Sequence, residues 1–191
     1  RSSAASDVYK RQTKKPTQLI AYASILAAFG ILIPMIMPLK LIIGPASFTL
    51  ASHVPLFLAV FISVPVAILV AIGTGLGFLL AGFPLVIVLR AFSHILFVVL
   101  AAWWLSRYPQ TLKSPAKIFC FAFFVNIIHG LAEFLVVYAL TATVGTSMSY
   151  FWSMLGLIGL GSLVHGMLDF CLALVFWRFL VEKLDLSIAK D

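Results

Sequence analysis

Charge is what this sequence lacks most. Only 10% of its 191 residues are Asp, Glu, Lys or Arg, and just six are acidic. A soluble domain carries about a quarter charged residues. With 63% hydrophobic residues, this chain has too few polar groups to cover a surface in water, so lipid is its solvent. Cysteine is scarce as well. Cys120 and Cys171 fall inside long apolar runs without framework spacing, so they read as small packing residues and no disulfide is expected. Period-two alternation is missing from the apolar stretches. Since only helices and closed barrels satisfy their backbone in lipid, the fold class is an all-α membrane protein. No G-x-x-x-x-G-K-[ST] phosphate loop occurs and no soluble domain fits. ATP chemistry must therefore come from another chain, and no cofactor is expected in this one.

What is present is a series of apolar runs separated by short polar breaks. A spanning helix needs about 20 apolar residues. The runs predict six spans, near 17–37, 52–63, 66–81, 85–105, 117–140 and 160–180. Ser63-Val64-Pro65 divides the second from the third. Gly156, Gly159 and Gly161 predict a short surface helix or a kink before the sixth. Residues 1–12 resemble a cloning or library scar and are set aside, residues 13–185 form one membrane domain, and residues 186–191 form a tail. The net charge of +7 would suggest nucleic acid in a soluble protein. Here Lys14, Lys15, Arg107, Lys113, Lys117, Arg178, Lys183 and Lys190 all fall on one side of the membrane, with Lys40 on the other. The positive-inside rule then makes both termini cytoplasmic in a multi-pass plasma-membrane protein, with no nucleic-acid partner.

One outer segment, Gly44 to Pro55, is both polar and irregular. Two prolines bracket Ser47, Thr49, Ser52 and His53, which could supply hydrogen bonds to a pocket below. Ionisable groups within spans cost about 2.5–3.5 kcal/mol each on insertion scales and usually face a bundle interior or a cavity. Here they come in i, i+4 pairs, each on one helical face. Arg90 pairs with His94, His129 with Glu133 (Asn126 a turn below), and His165 with Asp169. All lie in the outer half of the membrane, beneath the polar loop. They can line a cavity for an anionic small molecule, or simply pair with one another to hold helices together. Arg90 has more donors than one carboxylate needs, which favours the cavity. A third reading is an intramembrane hydrolase or metal-dependent enzyme, because H-x-x-x-E and H-x-x-x-D would suit zinc. H-E-x-x-H and a paired-glutamate protease motif are absent, so neither a metal nor a catalytic residue is expected. Ala23 and Ala27 form a small-xxx-small face in the first span, and Gly73, Gly77 and Ala81 another in the third. Such faces serve packing within the bundle or docking of a partner helix.

Taken together, the six-span layout, Ala23-x-x-x-Ala27, the loop Pro45-Ala46-Ser47-Phe48-Thr49-Leu50-Ala51-Ser52-His53 and Gly161-x-x-x-His165-x-x-x-Asp169 resemble the S component of an energy-coupling-factor (ECF) vitamin transporter. The likeness covers most of residues 14–185. Leu89-Arg90-Ala91-Phe92-Ser93-His94 looks most like members grouped with niacin uptake. The resemblance implies capture of a small water-soluble vitamin from outside, without catalysis by this chain. It also implies docking through the alanine face onto a transmembrane coupling subunit driven by two ATPase subunits. The outer loop would be the gate, and spans four to six with that loop would supply the pocket.

Overall fold

The computed structural model describes residues 16–184. The segments assigned above to a scar, to the basic start at Lys14 and Lys15 and to the tail lie outside the described residues. Helix α1 (Pro16–Ile36) has 21 residues, roughly 31 Å at 1.5 Å per residue, enough to cross a bilayer core. Pro38 helps to end it. Lacking an N–H, Pro38 cannot bond the Pro34 carbonyl, and Lys40 Nζ takes that carbonyl instead at 3.0 Å.

The loop after α1 is more ordered than its composition suggested. Strands β1 (Lys40–Ile43) and β2 (Ala46–Thr49) pair antiparallel, Ile43 opposite Ala46 and Lys40 opposite Thr49. A two-residue connection of this kind requires a positive φ, and Gly44 supplies it at 55°. The sequence reading expected an irregular segment here, so the strands are a correction to it. They form because Leu41, Ile42 and Ile43 are β-favouring residues too few to make a span.

Helix α2 (Val54–Ile62) has only nine residues and is fully apolar. Ser63 is extended and caps α3 (Val64–Leu80) by accepting from the Val66 N–H at 3.4 Å. Pro55 and Pro65 occupy the first turns of α2 and α3, where a missing N–H costs nothing. Next come α4 (Leu85–Arg107), a 3₁₀ turn at Pro109–Lys113 and α5 (Pro115–Thr141). The last stretch is a single apolar rod: α6 (Met148–Met154) continues through a π-helical turn (Leu155–Leu160) into α7 (Gly161–Leu184). The glycines there mark a widened turn inside that rod. By length and composition, α1, α4, α5 and the α6–α7 rod can each cross a membrane.

Helix α4 packs between α3 and α5, α3 also packs against α1, and α7 lies against α2 and α5. Phe57, Val66, Val70, Phe97, Val98, Ala101, Phe121 and Phe170 form the main buried core. Residues such as Leu80, Phe124 and Val175 are exposed, as expected for helices facing lipid. Two expectations change. Ala23 is buried, and a side chain at Gly73 would meet the Ala27 methyl at 3.0 Å. Ala23 and Ala27 are therefore at least partly covered within the bundle, Ala27 by Gly73 of α3, rather than standing fully open to a partner. Cys120 and Cys171 are free thiols, as expected, but exposed rather than packed inside.

Candidate functional site

Three long helices and the junction between β2 and α2 bring every histidine of the chain together. His94 comes from α4, His129 from α5, His165 from α7 and His53 from the junction. His53 is the hub, its ring centroid 4.8 Å from that of His94, 4.5 Å from His129 and 5.0 Å from His165. Close helix approach makes this possible. A methyl group at Gly166 of α7 would collide with the Asn126 carboxamide and the His129 ring on α5.

Two buried carboxylates anchor the cluster. Glu133 Oε2 accepts from Arg90 Nη2 at 2.9 Å and from the Ser162 hydroxyl; its Oε1 accepts from His94 Nε2 at 3.0 Å. Arg90 and Glu133 are 5% and 2% exposed. Burying an ion pair is costly unless further hydrogen bonds complete it, and Ser162 and His94 do so here. Asp169 serves the loop. It accepts from the Ala51 N–H at 2.7 Å, the His53 N–H at 2.8 Å and His53 Nδ1 at 3.1 Å. It thereby ties α7 to the hairpin's descending end. His165 Nε2 lies 3.2 Å from Ser52 Oγ, and the Phe48 ring lies so close over Gly161 that a side chain there would clash.

Between the hairpin, α1, α3 and α4 lies a cavity of about 150 Å³. Ser47, Thr49, Ser52, His53, Arg90, His94 and Glu133 line it, together with Thr74, Phe78, Phe83 and Ile87. Arg90 Nη1 reaches the Pro45 carbonyl at 3.5 Å, while its Nε–H and Thr74 Oγ1 are buried without hydrogen-bond partners. The volume matches cavities that hold one benzene-sized ring. A guanidinium and several hydroxyls lining an aromatic-sized space suit a small ring bearing an anionic group.

Of the residues expected at the site, Asn126, His129, His165 and Asp169 stand behind the cavity wall rather than in it. Asn126 and His129 contact each other at 3.4 Å, and His165 and Asp169 hold the junction. The sequence reading missed Thr74 and Ser162. Thr74 is the lone hydroxyl of α3, and Ser162 lies three residues before His165 on the same helical face, so both were visible as polar interruptions.

A bundle of apolar helices with a one-ring cavity and a buried cation under a hairpin defines a multi-pass membrane protein that binds a small molecule. No protein-family model matches the chain, and no solved structure matches it. It is, however, 41% identical over 190 residues to the niacin transporter NiaX of Lactococcus lactis subsp. cremoris (strain MG1363), across 95% of this chain and 86% of that protein. The chain belongs to the family of that transporter, the niacin-type S components whose likeness its motifs carry.

Proposed function

We propose that this chain is the substrate-capture subunit of an ECF importer, taking niacin from outside and delivering it with ATP-driven partner subunits. The observation that carries this reading is Arg90, a buried guanidinium that lines a one-ring cavity. A guanidinium grips a carboxylate through two parallel N–H donors, and niacin is a single pyridine ring bearing one carboxylate. Pantothenate and folate also carry carboxylates, but both are longer than a space of about 150 Å³ accommodates. Ser47, Thr49, Ser52, His53, His94 and Glu133 complete the pocket, with Asn126, His129, His165 and Asp169 supporting it from behind. The relative's name supports niacin as the vitamin.

In this reading the bundle crosses the membrane six times, α2 and α3 forming the second and third crossings, and both termini are cytoplasmic. The charge distribution of the loops supports that orientation. The chain captures and does not catalyse; ATP is hydrolysed by two ATPase subunits joined through a transmembrane coupling subunit. Ala21, Ser24 and Ala28 lie on one exposed face of α1 and offer that subunit a small-residue surface, since Ala23 and Ala27 are turned inward.

Calorimetric titration of the purified protein tests the reading. Niacin should bind, and nicotinamide, with the same ring but an amide in place of the carboxylate, should bind at least about 100-fold more weakly. Equal affinity for the two would remove the anion role of Arg90. Binding of neither would remove niacin.

A further inference from the structure

His53, His94, His129 and Glu133 each bring one donor atom within 4.8 Å of the others. His94 Nε2 lies 3.0 Å from Glu133 Oε1, and His129 Nε2 lies 3.7 Å from the same oxygen. Donors on a tetrahedral zinc with bonds of about 2.0–2.1 Å stand about 3.3 Å apart. The two separations bracket that edge.

The hydrogen bonds behind the rings decide which nitrogens are bare. Asn126 donates through Nδ2 to the Ala122 carbonyl at 2.9 Å, so its Oδ1 is the atom that faces His129 Nδ1 at 3.4 Å. Nδ1 of His129 then carries the hydrogen, and Nε2 is a lone pair. That Nε2 is buried, has no hydrogen-bond partner, and points an acceptor at an acceptor oxygen of Glu133. At His53, Nδ1 faces the Asp169 carboxylate at 3.1 Å. A carboxylate accepts, so this ring too keeps its hydrogen on Nδ1 and leaves Nε2 bare. Imidazoles oriented by an outer carboxylate or carbonyl are the arrangement found behind zinc-bound histidines. Two bare nitrogens in one cluster with a carboxylate oxygen are a donor set that suits a cation.

We propose that a divalent transition metal of the zinc class sits there, held by the Nε2 atoms of His53, His94 and His129 and by Glu133 Oε1. The His94 Nε2–H bond to Glu133 gives way to the metal, its proton moving to His94 Nδ1, which has no partner. This departs from the metal-free expectation drawn from sequence. The absent H-E-x-x-H would place its ligands on one helix, whereas these come from α4, α5 and the gate junction. A metal at this point ties the gate to two helices. It rests on geometry alone and does not depend on niacin being the vitamin.

The test uses tag-free protein, stripped with chelator in detergent and then dialysed against zinc alone. Metal analysis should find one zinc per chain, and cobalt(II) in its place should give the intense visible bands of a tetrahedral site. His129→Gln should weaken zinc binding at least about 100-fold. Asn126 is a positioning residue: Asn126→Leu should weaken binding about 10–100-fold, and Asn126→Asp, which keeps an acceptor facing Nδ1, should restore it. No zinc taken up by stripped wild-type protein overturns the proposal, and that result needs no variant to fold. Undiminished uptake by folded His129→Gln overturns it equally. Niacin titration of the same samples separates the two readings: niacin binding without zinc uptake removes the metal alone.

Discussion

The same helices behave differently in the half beneath the hairpin and in the half beyond it, the outer and inner halves in the proposed orientation. Along α4, Arg90 and His94 give way to Phe97, Val98, Ala101 and Ala102; along α5, Glu133, His129 and Asn126 give way to Val125, Ala122 and Phe121. The outer half is bound by hydrogen bonds among charged and imidazole groups around a cavity. The inner half is closed by aromatic and aliphatic contact, with Phe170 against Phe57 and Phe121 at its centre. Lipid offers no hydrophobic drive for helix association. The inner half therefore coheres through close contact alone and tolerates no void. The outer half keeps its void beside a paired charge, the Arg90 guanidinium bonded to Glu133. One half is a rigid base, the other a cup.

The largest test of that division is Arg90→Ala. It leaves Glu133 buried without its guanidinium partner, with His94 and Ser162 still bonded to it. Removing one member of a buried pair costs about 3–5 kcal/mol, to be read as a lower unfolding temperature in detergent, together with loss of niacin binding in calorimetry. Adding Glu133→Gln should recover most of the stability and none of the binding. Wild-type affinity in the double variant would show that Arg90 is a structural partner and not an anchor. Phe170→Ala probes the base. Its ring meets Phe57 at 5.2 Å and Phe61 at 5.8 Å between centroids, and its loss should cost roughly 3 kcal/mol of stability. The niacin dissociation constant of the folded protein should change by less than about twofold. A parallel loss of affinity would mean that base and cup are one unit.

Much of this division could be read from the chain. Buried charge in lipid is so expensive that six ionisable groups at i, i+4 spacing already named Arg90, His94, His129, Glu133, His165 and Asp169, and all six are buried together. Spacing along a helix says which residues share a face, but not which partner each one meets. Asp169 could therefore not be told from Glu133, although one holds the loop and the other faces the cavity. The orientation of α1 was hidden for a related reason. Ala23, Ala27 and Ala28 are equally small and apolar, and only contact with Gly73 and Gly77 of α3 shows which side turns inward. The hairpin escaped notice because its strands are four residues each, too short for period-two alternation to register.

The smallest expected effect lies at the junction of β2 and α2, the gate of the expected mechanism. Ala51 holds φ at 67°, a left-handed conformation that costs an alanine about 1 kcal/mol. It is held there because Asp169 takes both its N–H and that of His53. Such strain is kept only where the surroundings over-determine it, so it marks the grip of α7 on the hairpin's descending end. Ala51→Gly should relieve it and raise stability by about 0.5 kcal/mol, the added freedom of glycine in the unfolded chain offsetting the rest. If release of niacin requires this junction to open, the relaxed junction should also release the vitamin a few-fold more slowly in stopped-flow dissociation. The base should not respond, so the rise belongs to the closed cup alone. A fall in stability on Ala51→Gly would mean that the alanine methyl contributes more by packing than it costs in strain, and that Asp169 closes the gate without storing energy in it.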